Sequence, residues 1–260
     1  MRWFWRLLLV CPLASAQEMG DLSTERPGFT ATSGAAGRGV LQLEQGYTFT
    51  SSVDGGMRTY LFAGPQAVLR FGLTDTFELR FTTSGYSLET EEFGAGRSVL
   101  SGANDFALGA KLRVVKQSVR RPEVAVTASI SLPAHGSPFS TSGHDPAFVL
   151  AAYKDLPQKF SVAANYNVAS VTDPRGRFFS SAQSLWGGRS VGRGFSLFGE
   201  TFHTSLDRAG SEVAVDGGFF RGLGKHAQID LAAGHTLAGE RPSWFAVAGI
   251  VLRVPRPLLH

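Results

Sequence analysis

Cysteine is almost missing from this chain: of 260 residues only Cys11 carries a thiol. It lies in an N-terminal segment that reads as a removable leader. The processed chain is therefore expected to hold no disulfide and no thiol chemistry, which excludes a disulfide scaffold and a thiol-based redox role. Long apolar runs are missing as well. No stretch after the leader approaches the about 18 apolar residues of a membrane-crossing helix. An excess of one charge is also lacking. The 25 Lys and Arg face 21 Asp and Glu, and loss of Arg2 and Arg6 with the leader leaves 23 basic residues. That near-balance carries no nucleic-acid footprint.

Cofactor motifs are absent in the same way. His135, His144, His203, His226 and His235 fall on separate segments without metal-ligand spacing. Asp54-Gly55-Gly56 and Asp216-Gly217-Gly218 lack the ligand count of a calcium loop. Gly94-Ala95-Gly96 lacks the third glycine and the strand–helix setting of a dinucleotide turn. No cofactor and no metal are expected.

What is present begins with the leader. Arg2 and Arg6 form a basic n-region, Leu7–Leu13 an apolar core, and Ala14-Ser15-Ala16 a small-residue cleavage site. Residues 1–16 thus read as a signal peptide cut between Ala16 and Gln17. Val10 is too large for the position before a lipidated cysteine, so Cys11 is not read as a lipid anchor. Residues 17–38 read as an extended periplasmic lead-in, 39–254 as a barrel, and 255–260 as a tail.

The barrel rests on period-two hydrophobicity. In Asp105–Val114, Phe106, Leu108, Leu112 and Val114 alternate with Asp105, Lys111 and Arg113. In Thr76–Tyr86, Phe77, Leu79 and Phe81 oppose Glu78, Arg80 and Thr82. Similar alternation runs through 40–50, 123–132, 160–168 and 227–235. Each segment has one greasy and one polar face, because successive side chains of a strand point to opposite sides. Pro65 marks a bulge or strand end, and the stretches 147–154 and 178–188 fit either parity. About twelve strands of roughly nine to thirteen residues result, the length a tilted membrane strand needs. They are joined in turn by tight turns and longer polar loops, the rhythm of an outer-membrane barrel. The predicted fold is an all-β, transmembrane, antiparallel up-and-down barrel. An even strand number puts both termini and the tight turns in the periplasm.

The polar face carries Glu44, Arg70, Glu78, Arg80, Asp105, Lys111, Arg113, Glu200, Asp216 and Asp230. Mixed charge suits a narrow hydrated lumen, either as a constriction that selects solutes or as a salt-bridge network that fills and stiffens the barrel. Both readings stay open. Aromatics crowd the strand ends: Phe71, Phe77, Tyr153, Phe160, Trp186 and Phe195 beside the tight turns, and Tyr47, Phe49, Tyr60, Phe62, Tyr86, Phe178 and Trp244 toward the loops. Two interfacial girdles are expected of such a barrel. The loop from His135 to Asp145 is rich in Ser, His and Asp, but no rigid strand holds a nucleophile to a base there, so a surface loop is the expectation. The stretch 87–103, with Glu89, Glu91, Glu92 and Arg97, reads as the longest loop, a hydrophilic cap.

Short motifs in order carry a family resemblance. They are Thr24-Glu25-Arg26-Pro27-Gly28-Phe29, Gly72-Leu73-Thr74-Asp75-Thr76-Phe77-Glu78-Leu79-Arg80, and Gly102-Ala103-Asn104-Asp105-Phe106-Ala107-Leu108-Gly109-Ala110-Lys111. Asp145-Pro146, Phe198-Gly199-Glu200, Asp216-Gly217-Gly218-Phe219 and Gln228-Ile229-Asp230 follow. The chain resembles the outer-membrane barrels labelled for the meta-pathway of phenol degradation. The resemblance implies passage of small hydrophobic or aromatic compounds. The chain departs from the usual aromatic ending of such barrels, since Leu252-Arg253-Val254 closes the last strand.

The expected function is a passive pore or transporter for small solutes in a Gram-negative outer membrane, not an enzyme. Its expected partners are outer-membrane lipid, the small-molecule solute and the outer-membrane assembly machinery, with no nucleic acid. The alternatives are a sealed structural or surface-interaction barrel and, further off, a lipid-modifying hydrolase.

Overall fold

The computed structural model describes residues 22–141, 143–207 and 210–254. The signal segment with Ala16 and Gln17, the first residues of the lead-in and the tail 255–260 lie outside the described residues. Strands β1 (Leu41–Asp54), β2 (Met57–Gly72), β3 (Phe77–Thr83), β4 (Tyr86–Phe93), β5 (Gly96–Ala103), β6 (Phe106–Val115) and β7 (Glu123–Leu132) are followed by β8 (Pro146–Asp155), β9 (Phe160–Asp173), β10 (Gly176–Gly192), β11 (Phe195–Leu206), β12 (Gly210–Leu223), β13 (Ala227–Ala238) and β14 (Ser243–Val254). All belong to one antiparallel sheet, and β1 pairs with both β14 and β2, so the sheet closes.

The ring has twelve positions because two of them are filled by broken strands. The lower half of β2 pairs with β3 and the upper half with β4, so β3 and β4 run end to end. β5 and β6 do the same, with Asn104 and Asp105 at the break. Asn104 ties the two breaks together, donating its backbone N–H to the Gly85 carbonyl and its amide to the carbonyls of Ser84 and Gly85. Gly85 takes φ +75° with its Cα turned against the Pro65 carbonyl, a place no side chain fits. The ladder slips opposite Pro65, between Gly46 and Thr48, as a bulge.

The outer face is apolar and the inner face polar, as the alternation requires. In β6, Phe106, Leu108, Leu112 and Val114 are exposed while Lys111 is fully buried. Gln42, Glu44, Arg70 and Glu78 are likewise buried in the interior. In water such a surface would aggregate; in lipid it is the required one. Outward aromatics pair near the far end, with Tyr47 on Phe62, and Phe49 on Tyr60 and Trp244. Near the end that bears the termini, Arg189 lies over Phe160 and Arg221 over Phe195. These outward rings form the two girdles.

Three sequence expectations need correction. Tyr153 and Trp186 belong to no girdle. Trp186 shares a face with the buried Ser184 and Gly188, and both Tyr153 and Trp186 line the internal cavity. Small residues had left β8 and β10 without a readable parity. The stretch 87–103 is no loop but the β4–β5 hairpin, turning at Gly94-Ala95. Most other long loops are likewise strand extensions closed by tight turns, such as Gly55-Gly56. Polar side chains there mark strand beyond the membrane rather than its end.

Candidate functional site: the occupied lumen

The lead-in does not hang below the barrel. Residues 22–38 enter the lumen and touch its walls on every side. Glu25 accepts from Arg80 of β3 at 2.6 Å and from Lys111 of β6. The guanidinium of Arg26 reaches the opposite wall, donating to Asp230 of β13 at 3.3 Å and to the Ala248 carbonyl of β14 at 3.0 Å. It lies against Gly46 and Gly249, where any Cβ would collide with it. The Phe29 N–H donates to Glu200 of β11 at 2.8 Å, and the Thr30 hydroxyl donates to the same carboxylate. Phe29 stacks on Phe202 at 4.5 Å between centroids. Ser33 donates to Glu123 of β7 at 2.8 Å, and the Ala36 N–H to Glu78 at 2.6 Å.

Arg70 is the hub of the charged wall. Its Nε and Nη2 donate to Glu78 at 2.9 Å each, and Nη1 donates to Glu44 at 2.9 Å. Nη1 and Nη2 also donate to the Ser23 and Gly34 carbonyls of the lead-in, at 2.6 and 2.7 Å. All three charged side chains have zero exposure. Five donors in a fixed fork suit a guanidinium here and no ammonium. Arg113 pairs with Glu123 at 3.2 Å, next to the lead-in's Ser33.

The residues read from the sequence as a lumen cluster thus divide. Glu44, Arg70, Glu78, Arg80 and Lys111 form one network with Glu25. Arg113 and Glu123 continue it toward the terminal end. Glu200 and Asp230 hold the lead-in from the other side. Asp216 stands opposite Glu200 in register, and its Oδ1 has no hydrogen-bond partner. Asp105 is the correction: it sits at the strand break and binds the 133–145 connection, accepting from Ala134 N and from Thr141 N and Oγ1 at 2.8–3.0 Å.

Facing the charged wall is an aromatic one that the alternation did not reveal. Trp186 stacks on Phe198 at 6.1 Å, and Phe202 lies beside Phe245. Below the lead-in, a cavity of about 720 Å³ opens toward the terminal end, bounded by lead-in residues, Arg113, Tyr153, Trp186, Phe220 and Gln228. The Ser, His and Asp residues of 135–145 form no relay among the described residues. Ser137 donates to the Ala103 carbonyl, His144 Nδ1 meets the Ser131 carbonyl, and Asp145 accepts from Thr172. Among the described residues no His, Asp and Glu gather in a group able to hold a metal.

One family matches this chain along almost its whole length. The protein belongs to the family described as "Putative MetA-pathway of phenol degradation", whose model matches residues 24–254. The match starts at the Thr24–Phe29 motif, which is the part of the lead-in that crosses the lumen. No curated protein matches the sequence. Among solved structures, an outer-membrane channel from Pseudomonas putida F1 aligns with TM-score 0.65 at 15% identity, covering 88% of this chain and 99% of that one. The beta domain of the Bordetella autotransporter Brka aligns with TM-score 0.58 at 10% identity, over 83% and 99%. The NanC porin aligns with TM-score 0.52 at 9% identity, over 82% and 100%. At these identities the likeness establishes the fold, an outer-membrane type of β-barrel.

Proposed function

We propose that the protein is a channel of the outer membrane for small solutes, with small aromatic compounds the leading class, and that its N-terminal segment narrows the path. The observation that carries this is the cavity of about 720 Å³ between the lead-in and the terminal end, with Trp186 and Phe220 in its lining. It is large enough for a single-ring solute, and the indole of Trp186 presents it an apolar face. The family's description and the channel from Pseudomonas putida F1 support the same reading. The even ring brings both termini to one side, which this reading takes as the periplasm, and the chain is inserted by the assembly machinery after loss of its signal peptide. Its partners are then outer-membrane lipid and the solute, and it performs no bond chemistry.

A sealed barrel is the second reading, favoured by one observation: the lead-in is bonded to opposite walls, through Glu25 to Arg80 and through Arg26 to Asp230. Single-channel currents of the chain from Gln17 in a planar bilayer decide between them. Discrete steps, interrupted by a phenolic solute more than by a sugar, are the expected result. A silent bilayer containing folded protein would assign the sealed barrel.

A further inference from the structure

Three neighbouring turns at the end that bears the termini are basic. Residues 156–160, 187–197 and 219–228 carry Lys159, Arg189, Arg193, Arg221 and Lys225 and no Asp or Glu. Arg189, Arg193 and Arg221 are exposed, and among the described residues none of them forms an ion pair. Two of these guanidiniums lie on rings instead, Arg189 over Phe160 of β9 at 4.7 Å and Arg221 over Phe195 of β11 at 4.8 Å. A ring holds a guanidinium by its flat face and leaves the N–H edge open to an anion. Arg193 sits at the tip of the β10–β11 turn, where Gly192, Arg193 and Gly194 take φ of +98°, +52° and +78°. That region favours glycine, so the turn carries an arginine at a conformational cost.

The wall beside them is apolar. Leu197, Phe219 and Leu231 form one outward cross-strand row on β11, β12 and β13, and Phe195 lies in the next row, opposite Arg221. Val191, Phe195, Leu197 and Phe219 line a groove of about 520 Å³ on the outer face, with Arg193 at its terminal end. Arg221, laid over Phe195, stands at the same end. Val191 and Leu197 are more than half exposed, and in a membrane barrel such outward apolar surface is covered by lipid. A groove that is greasy along its length and cationic at its interfacial end matches one class of molecule, a lipid with an anionic headgroup.

We propose that this groove holds one anionic phospholipid of the leaflet on the terminal side. Its acyl chain lies against Phe195, Leu197 and Phe219, and its phosphate sits between Arg193 and Arg221. Both parts of the molecule are needed. A soluble anion would satisfy the guanidiniums and leave the groove bare, while a neutral lipid would fill the groove and leave two cations unpaired. Guanidinium forks match phosphate oxygens, and each basic residue near a membrane surface adds attraction for an anionic headgroup. The site lies on the outer face, so it holds whether the lumen conducts or is sealed. Native mass spectrometry of the detergent-solubilised barrel, with phosphatidylglycerol or phosphatidylcholine of the same acyl chains added, reads its occupancy. The barrel should retain one phosphatidylglycerol about twenty-five-fold more tightly than phosphatidylcholine, about fivefold for each arginine. Arg193→Gln and Arg221→Gln should each remove about fivefold, and together the whole preference. Either single variant is decisive if the double one does not fold. Arg189→Gln should leave the preference in place, because that guanidinium lies over Phe160 on the far side of β10. Glycerol phosphate in excess should not displace the lipid. No preference in the parent barrel, a preference that survives the double variant, or an equal loss in Arg189→Gln overturns the site. Displacement by glycerol phosphate would also overturn it, reducing the arginines to a plain anion site.

Discussion

Arg70 illustrates how a buried charge is tolerated inside this barrel. Moving a guanidinium out of water costs several kcal/mol, and the cost is offset only when geometry and hydrogen bonding are complete. Here all its donors find acceptors, two carboxylates and two lead-in carbonyls. Removing it leaves Glu44 without its cation and Glu78 with Arg80 alone, at 3.1 Å. Arg70→Ala should therefore cost about 3–5 kcal/mol, read as a lower thermal midpoint for the folded band in semi-native electrophoresis. Arg70→Lys should recover only part of it, since one ammonium cannot serve Glu78 by a fork and also reach Glu44. A midpoint within a degree or two of the parent for Arg70→Ala would make the network dispensable. Alternation placed Arg70 and Glu78 on the same polar face, but their pairing across β2 and β3 was not legible. Glu25 and Arg26 were not placed, because a segment without period-two hydrophobicity gives no sign of which side of a wall it lies on.

At the scale of elements, the connection from β7 to β8 behaves as a clamp governed by Asp105. The carboxylate accepts the Ala134 and Thr141 amides and the Thr141 hydroxyl at 2.8–3.0 Å. Hydrogen bonds to a charged group are worth about 1.5–3 kcal/mol, so Asp105→Asn should weaken all three. Hydrogen-exchange protection of the Ala134 and Thr141 amides, corrected for intrinsic rate, should fall about tenfold in that variant. Protection unchanged from the parent would show that the connection is held by other contacts. The strands themselves were the most legible elements: β6 and β7 follow their alternation residue by residue. The β4–β5 hairpin was hidden because Glu89, Glu91 and Glu92 sit on a stretch of strand whose inner face no longer meets a packed lumen, so polarity stopped reporting secondary structure.

Across the whole molecule, charge and aromaticity are segregated. Arg70, Arg80, Lys111 and Arg113 stand on the β2–β6 side, Trp186, Phe198 and Phe202 on the β10–β11 side, and the lead-in runs between them. On the proposed channel reading, a solute passing the lead-in would meet a charged network on one side and an apolar wall on the other. The charged side also sets the ionic preference of any current. Arg80 and Arg113 retain about a tenth and a fifth of their side-chain exposure, unlike Arg70, so water can reach both of these wall cations. Substituting both with Ala removes those charges and leaves Glu25 and Glu123 short of partners. The double variant should shift the reversal potential in a salt gradient toward cation preference, by about threefold in permeability ratio, as charged residues lining a pore do. Its conductance should rise as well, because the lead-in keeps Lys111 but loses Arg80, one of the two cations that hold Glu25. An unchanged reversal potential with a lowered thermal midpoint would instead assign both arginines to stiffening the barrel, and the ion path would then have to run along the aromatic wall.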